Sequence, residues 1–115
     1  MVDGLVGSEM CIRDRRSADK IYKMFDSYKR KGDFIGMDMC RKFLEMGFTR
    51  ARRYANHKDG KKYNPDRTIK PQEPDALTSD KALSAKIFKN IRDLAAYDET
   101  YQTMRKQWRD NENAV

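Results

Sequence analysis

The sequence predicts a mainly α fold, four or five short amphipathic helices with a proline-containing loop ahead of the last two. Three observations carry that prediction. Apolar residues recur at intervals of three and four, capping residues and glycines fall where those stripes begin and end, and Pro65, Pro71 and Pro74 cluster in one poorly apolar stretch.

The first fifteen residues share no pattern with the rest of the chain and are set aside from the fold. Met10 to Arg15 can be encoded ATG TGT ATA AGA GAC AGN, which resembles a transposon end used in sequencing libraries. The expectation is that residues 1–15 are not native, that Cys11 leaves the cysteine count, and that a true N-terminal part is missing. The domain then runs over residues 16–110, with residues 111–115 as a fraying tail.

The first expected helix spans residues 17–31, opened by Ser17 with Asp19 in its first turn. Ile21, Met24, Phe25 and Tyr28 form its apolar stripe, and Gly32 stops it. Asp33 caps a second helix whose apolar set is Phe34, Met37, Cys40, Phe43 and Leu44, widened by Met39 and Met46. Gly47 is expected to end it, and Thr49 to cap a short third helix through Ala55.

The stretch from Asn56 to Tyr63 has no clear period, and Asp59-Gly60 reads as a turn that could form a hairpin tip. Residues 64–79 read as loop. Ser79 or Asp80 caps the next helix, with Leu83, Ile87, Phe88, Ile91 and Leu94 on one face. Asp98 caps the last, where Tyr97, Tyr101, Met104 and Trp108 align. That stripe reads as core, with Trp108 the member most suited to anchor an interface.

Size and composition set the frame. One hundred and fifteen residues make one domain at most, with a small core. Charged residues at 37% and a mean hydropathy of −1.00 are polar, yet 10% aromatics lift the chain above a disordered composition. No apolar run approaches the roughly 20 residues of a membrane span, and the start lacks a signal-peptide pattern. Two cysteines with no CxxC fit a reducing, cytoplasmic setting.

The formal net charge is +7, and its placement matters more than its size. Between Arg50 and Lys70 there are eight basic residues against Asp59 and Asp66, so this segment carries +6 of the total. Tyr54, His57 and Tyr63 are interleaved. Such a patch attracts polyanions, and aromatics among cations can stack on bases. A helix opening at Thr49 would add unpaired N–H groups and a positive dipole end, with Arg50 and Arg53 reaching one anion. The alternative is a solvated face whose arginine stems cover apolar surface. Helices meeting at Gly47 also suggest a helix-turn-helix.

Chemistry of other kinds finds little support. One histidine and one retained cysteine cannot assemble a soft-ligand zinc site, so neither metal nor cofactor is expected. Cys40 falls on an apolar stripe and reads as core. His57 reads as a surface-loop histidine, with no spacing that makes a triad evident. Asp33, Asp38, Asp98 and Glu99 read as caps and exposed helix faces.

The words GMDM, RKFL-MG-TR and RRYANHK, within Asp33 to Tyr63, resemble a family of proteins from bacteria, fungi and phages catalogued as a domain of unknown function. The resemblance spans about Ser17 to Trp108. Family members start with a further, extended segment, so it implies a truncated reading frame here and an α+β whole domain. They are labelled cytoplasmic, and the resemblance lends no catalytic residue, cofactor or substrate.

The sequence thus points to a non-enzymatic module that binds an anionic partner, nucleic acid foremost, through residues 49–63. The candidate residues are Thr49, Arg50, Arg52, Arg53, Tyr54, His57, Lys58, Lys61 and Lys62, with Asn56 alongside. Two other readings stay open. One is an enzyme whose site needs a missing N-terminal segment, with Asn56 and His57 on its rim. The other is a protein-interaction module using the Tyr97–Trp108 face.

Overall fold

The structure is a computed structural model and describes residues 9–113. Among the described residues there are four helices, in chain order α1 (Glu9–Lys31), α2 (Phe34–Asn56), α3 (Asp80–Ala96) and α4 (Glu99–Asn113). Among the described residues there is no strand, only an isolated antiparallel bridge between Tyr63 and Ile69. The fold is mainly α.

α1 begins earlier than the Ser17 cap suggests. Residues 9–15 form its first turns, and Cys11 is fully buried, its thiol 3.5 Å from the Asp80 carbonyl and 3.8 Å from the Ser84 hydroxyl. Cys11, Ala18 and Phe25 recur every seven residues and face the core, while Met24 is exposed. Residues 1–8 lie outside the described residues.

Gly32 ends α1 at φ +70°, where its missing Cβ removes the steric cost of the left-handed region. Asp33 then caps α2, its carboxylate accepting the Gly36 N–H at 2.9 Å.

The largest correction concerns Gly47. It does not stop a helix; α2 continues through it to Asn56, so four helices stand where five were allowed and there is no helix-turn-helix at this point. The cause lies in packing. A Cβ on Gly47 would meet the Phe88 ring at 2.5 Å, so the glycine lets α3 approach α2 closely. Leu44, Ala51 and Ala55 are all buried at helical spacing, keeping the stripe in phase across the glycine.

Ser79 caps α3 by accepting the Ala82 N–H at 3.2 Å, and Asp98 caps α4 by accepting the Tyr101 N–H at 2.9 Å. α4 runs to Asn113, past the expected start of fraying, and residues 114–115 are not described. Phe25, Met37, Leu44, Phe88, Ala95 and Tyr101 are the centre of one core shared by all four helices.

Of the predicted α4 stripe, Tyr101 is buried and Met104 packs on the core, but Tyr97 is 76% exposed. Trp108 is 44% exposed and lies against Phe34 with ring centroids 5.6 Å apart. Polar ties fasten this helix. The Tyr101 hydroxyl donates to Asp38 at 2.6 Å and accepts from Arg41 Nε at 2.6 Å, and Lys29 pairs with Asp98 at 2.6 Å. Asp38 therefore belongs to a half-buried network, not to a simple exposed face.

The Cα envelope measures 47 × 41 × 16 Å. A helix with side chains is about 10–12 Å across, so the bundle is shallow. Ile35, Met39, Phe43 and Met46 remain exposed along α2, and Phe43 is thus not the core residue its spacing suggests.

Candidate functional site

The basic segment occupies the last two turns of α2 and the chain that folds back beneath them. Thr49 is an exposed mid-helix residue, not a cap, so the predicted anion site at a helix N-terminus does not exist here. Its neighbours divide between two sides of the helix. Arg50 and Tyr54 line a cleft of about 660 Å³ with Ile21 and Phe88, and Arg53 and Thr49 share that cleft. Arg52, Arg53 and Thr49 also line a second cleft of about 380 Å³, completed by His57, Lys62 and Gln72. Arg53 is therefore common to both, and Arg50 and Arg53 do face one cavity as their spacing suggests.

After Asn56 the chain turns sharply. His57 caps the C-terminus of α2, its N–H donating to the Arg53 carbonyl at 3.0 Å. Gly60, at φ +72°, donates to the His57 carbonyl at 2.8 Å. A Cβ there would meet the Tyr54 ring at 2.8 Å, so turn and ring require each other.

The expected hairpin tip at Asp59-Gly60 is displaced along the chain. The antiparallel pinch lies around residues 62–70, with Lys70 N–H donating to the Lys62 carbonyl at 2.9 Å and Asn64 N–H to the Thr68 carbonyl at 2.8 Å. Arg67 takes φ +70° at its tip. The returning segment is tied to α2 twice, by Glu73 N–H on the Asn56 carbonyl at 2.8 Å and by Arg52 Nη2 on the Ala76 carbonyl.

The acidic residues of this segment are already committed. The Lys70 ammonium, 2.7 Å from Asp59 Oδ2, together with the Lys61 N–H, holds the Asp59 carboxyl below its usual range. The Thr68 hydroxyl and N–H do the same for Asp66. Among the described residues, Arg50, Arg53, Lys58, Lys61, Lys62 and Arg67 form no ion pair.

The aromatic candidates separate. Tyr54 is half-buried, with Arg50 Cζ 6.0 Å and Lys81 Nζ 5.4 Å from its ring centroid. Tyr63 is 54% exposed with Lys62 Nζ 5.6 Å from its centroid. His57 is the second correction. It is only 7% exposed, not a surface residue, and its Nδ1 is buried without a hydrogen-bond partner. Arg52 Nε is in the same position.

Sequence reasoning missed Lys81 from α3 and Arg13 from α1, which line a pocket with Arg50 and Tyr54. Nothing local signals either; only the packing of α1 and α3 on α2 brings them there.

The profile of the family described as Domain of unknown function (DUF4385) matches residues 11–111. The chain belongs to this family. The match agrees with the resemblance carried by Asp33 to Tyr63, and it reaches back to Cys11, into the first turn of α1. No curated protein and no solved structure gives a significant match. Within this DUF4385 domain, no described helix is long and apolar enough to cross a membrane. No group of three or more His, Cys, Asp or Glu among the described residues is placed to hold a metal.

Proposed function

We propose that this DUF4385 domain is a non-enzymatic module that binds nucleic acid through the end of α2 and the loop after it. One observation carries the reading: six cations between Arg50 and Arg67 form no ion pair among the described residues, while Asp59 and Asp66 are both held inside the loop. Unpaired surface cations gathered in one place retain their counterions, and a polyanion releases them on binding. Arg53, shared by two clefts, joins Arg50 on one side to Lys62 on the other, which suits a backbone that tracks across the helix. Exposed Tyr63 beside Lys62 suits a base stacked on its ring.

A labelled single strand should bind with an affinity of about 1–100 micromolar, the range typical of contacts dominated by phosphate. Arg50→Glu with Arg53→Glu should weaken binding at least about tenfold, because both side chains change from attracting to repelling phosphate. The far-ultraviolet spectrum should not change, since neither residue is buried. Unaltered affinity in this double variant would remove the reading.

A further inference from the structure

We infer that the cleft lined by Arg52, His57, Lys62 and Gln72 is a binding site for a phosphate monoester, one that rests on the same basic surface as the nucleic-acid reading and specifies its ligand chemistry. His57 is more than nine-tenths buried, lines this cleft, and leaves Nδ1 with no partner. Arg52 lines the same cleft and leaves Nε–H with no partner. A buried polar group without a partner is costly, and two side chains that line one cleft each carry such a group behind its wall.

The identity of the unsatisfied groups selects the ligand. The guanidinium Nε can only donate, so its partner must be an acceptor. An imidazole Nδ1 carrying the proton donates as well, and both donors then suit oxygens of one compact anion. Arg53 and Lys62, which form no ion pair among the described residues, line the same space and supply the charge. A monoester has a charge of about −1.5 to −2 near neutrality and three acceptor oxygens, which meets several donors at once. A backbone diester carries a single charge and is flanked on both sides by sugars, so it cannot enter end-on.

The cavity of about 380 Å³ has room for a terminal phosphate and the sugar that bears it. Neither orphaned atom is open to water, so the phosphate reaches them only as the lining of the cleft rearranges. The ligand chemistry is common to a free mononucleotide and to the 5′-phosphorylated end of a strand.

The protein has one histidine, which makes its imidazole a clean reporter. The experiment follows the His57 ring nitrogens by long-range proton–nitrogen NMR during titration with inorganic phosphate, a nucleoside 5′-monophosphate, and one oligonucleotide with a 5′-phosphate or a 5′-hydroxyl. Each monoester should move the Nδ1 resonance, and the phosphorylated strand should bind about tenfold tighter than its hydroxyl counterpart. His57→Phe should abolish that preference but keep general binding, and Lys62→Glu, on the exposed loop, should reduce it if the phenylalanine variant does not fold.

An unmoved Nδ1 resonance, or a preference that survives in folded His57→Phe, overturns the inference. Equal binding of both strands with Nδ1 unmoved removes the monoester site and leaves the nucleic-acid reading standing. Failure of both strands, with inorganic phosphate still moving Nδ1, removes that reading and leaves the site.

Discussion

Tyr101→Phe deletes a single hydroxyl from the contact between α4 and α2. That hydroxyl donates to Asp38 and accepts from Arg41, and the residue is 1% exposed. Arg41 still pairs with Asp38 in the variant, so the expected loss is about 1–2 kcal/mol by urea denaturation, not the larger penalty of an unpaired charge. No change in stability would mean that the network contributes nothing beyond the packing of the ring. This contact also shows what single residues conceal. Asp38 and Tyr101 are 63 positions apart, and helical spacing assigns each a face without assigning it a partner. His57 was hidden in the same way: its neighbours Lys58 and Asp59 are exposed, while His57 itself is buried in the folded chain.

At the scale of elements, the caps were legible because they are local. Asp33, Ser79 and Asp98 each accept from an N–H three residues ahead, and the amino acid and its position carry all the information. Gly47 was misleading because glycine has two uses. It permits a left-handed end, as at Gly32, and it permits close approach, as here against Phe88. The buried alanines at 51 and 55 were the available signal that the helix continues, since they keep phase with Leu44.

Gly47→Ala separates the two uses. Helix propensity alone would stabilise α2 by about 1 kcal/mol. The clash with Phe88 should outweigh that gain and leave a net loss of about 1–2 kcal/mol by chemical denaturation. Phe88→Leu in the same chain should recover part of it. A more stable Gly47→Ala variant would show that α2 and α3 are not in close contact there.

The whole molecule is a shallow bundle whose last helix is held by buried Tyr101 and by polar ties around it. Burial raises the Asp38 carboxyl, but hydrogen bonds from Tyr101 and Arg41 outweigh it and leave the group below its usual range. Asp98 behaves alike, with Lys29 and the Tyr101 N–H outweighing burial. A carboxyl whose folded pKa is depressed stabilises the fold above its unfolded pKa of about 3.9, and that contribution is lost as pH falls through the lower folded value. The midpoint of thermal unfolding should stay level from neutrality to about pH 5 and fall below about pH 4. Asp38→Asn should flatten the acid limb. An acid limb of unchanged steepness would assign the loss to other carboxylates.

The charge pattern of residues 50–70 was readable from composition along the chain, because a run of like charges needs no partner to be seen. Its geometry was not. Folding ties Arg52 to the loop and half-buries Tyr54, and it adds Arg13 and Lys81 from distant helices. The surface that results still holds cations that form no ion pair among the described residues, and polyanion binding rests on them. The most direct test is a fluorescence-anisotropy titration of a labelled single strand at several salt concentrations, with the parent chain and the Arg50→Glu, Arg53→Glu variant side by side. Three to five phosphate contacts predict a slope of about −2 to −3.5 in log K against log salt, with weaker binding and a shallower slope in the variant. Binding that is insensitive to salt, or identical in the two proteins, would contradict the account.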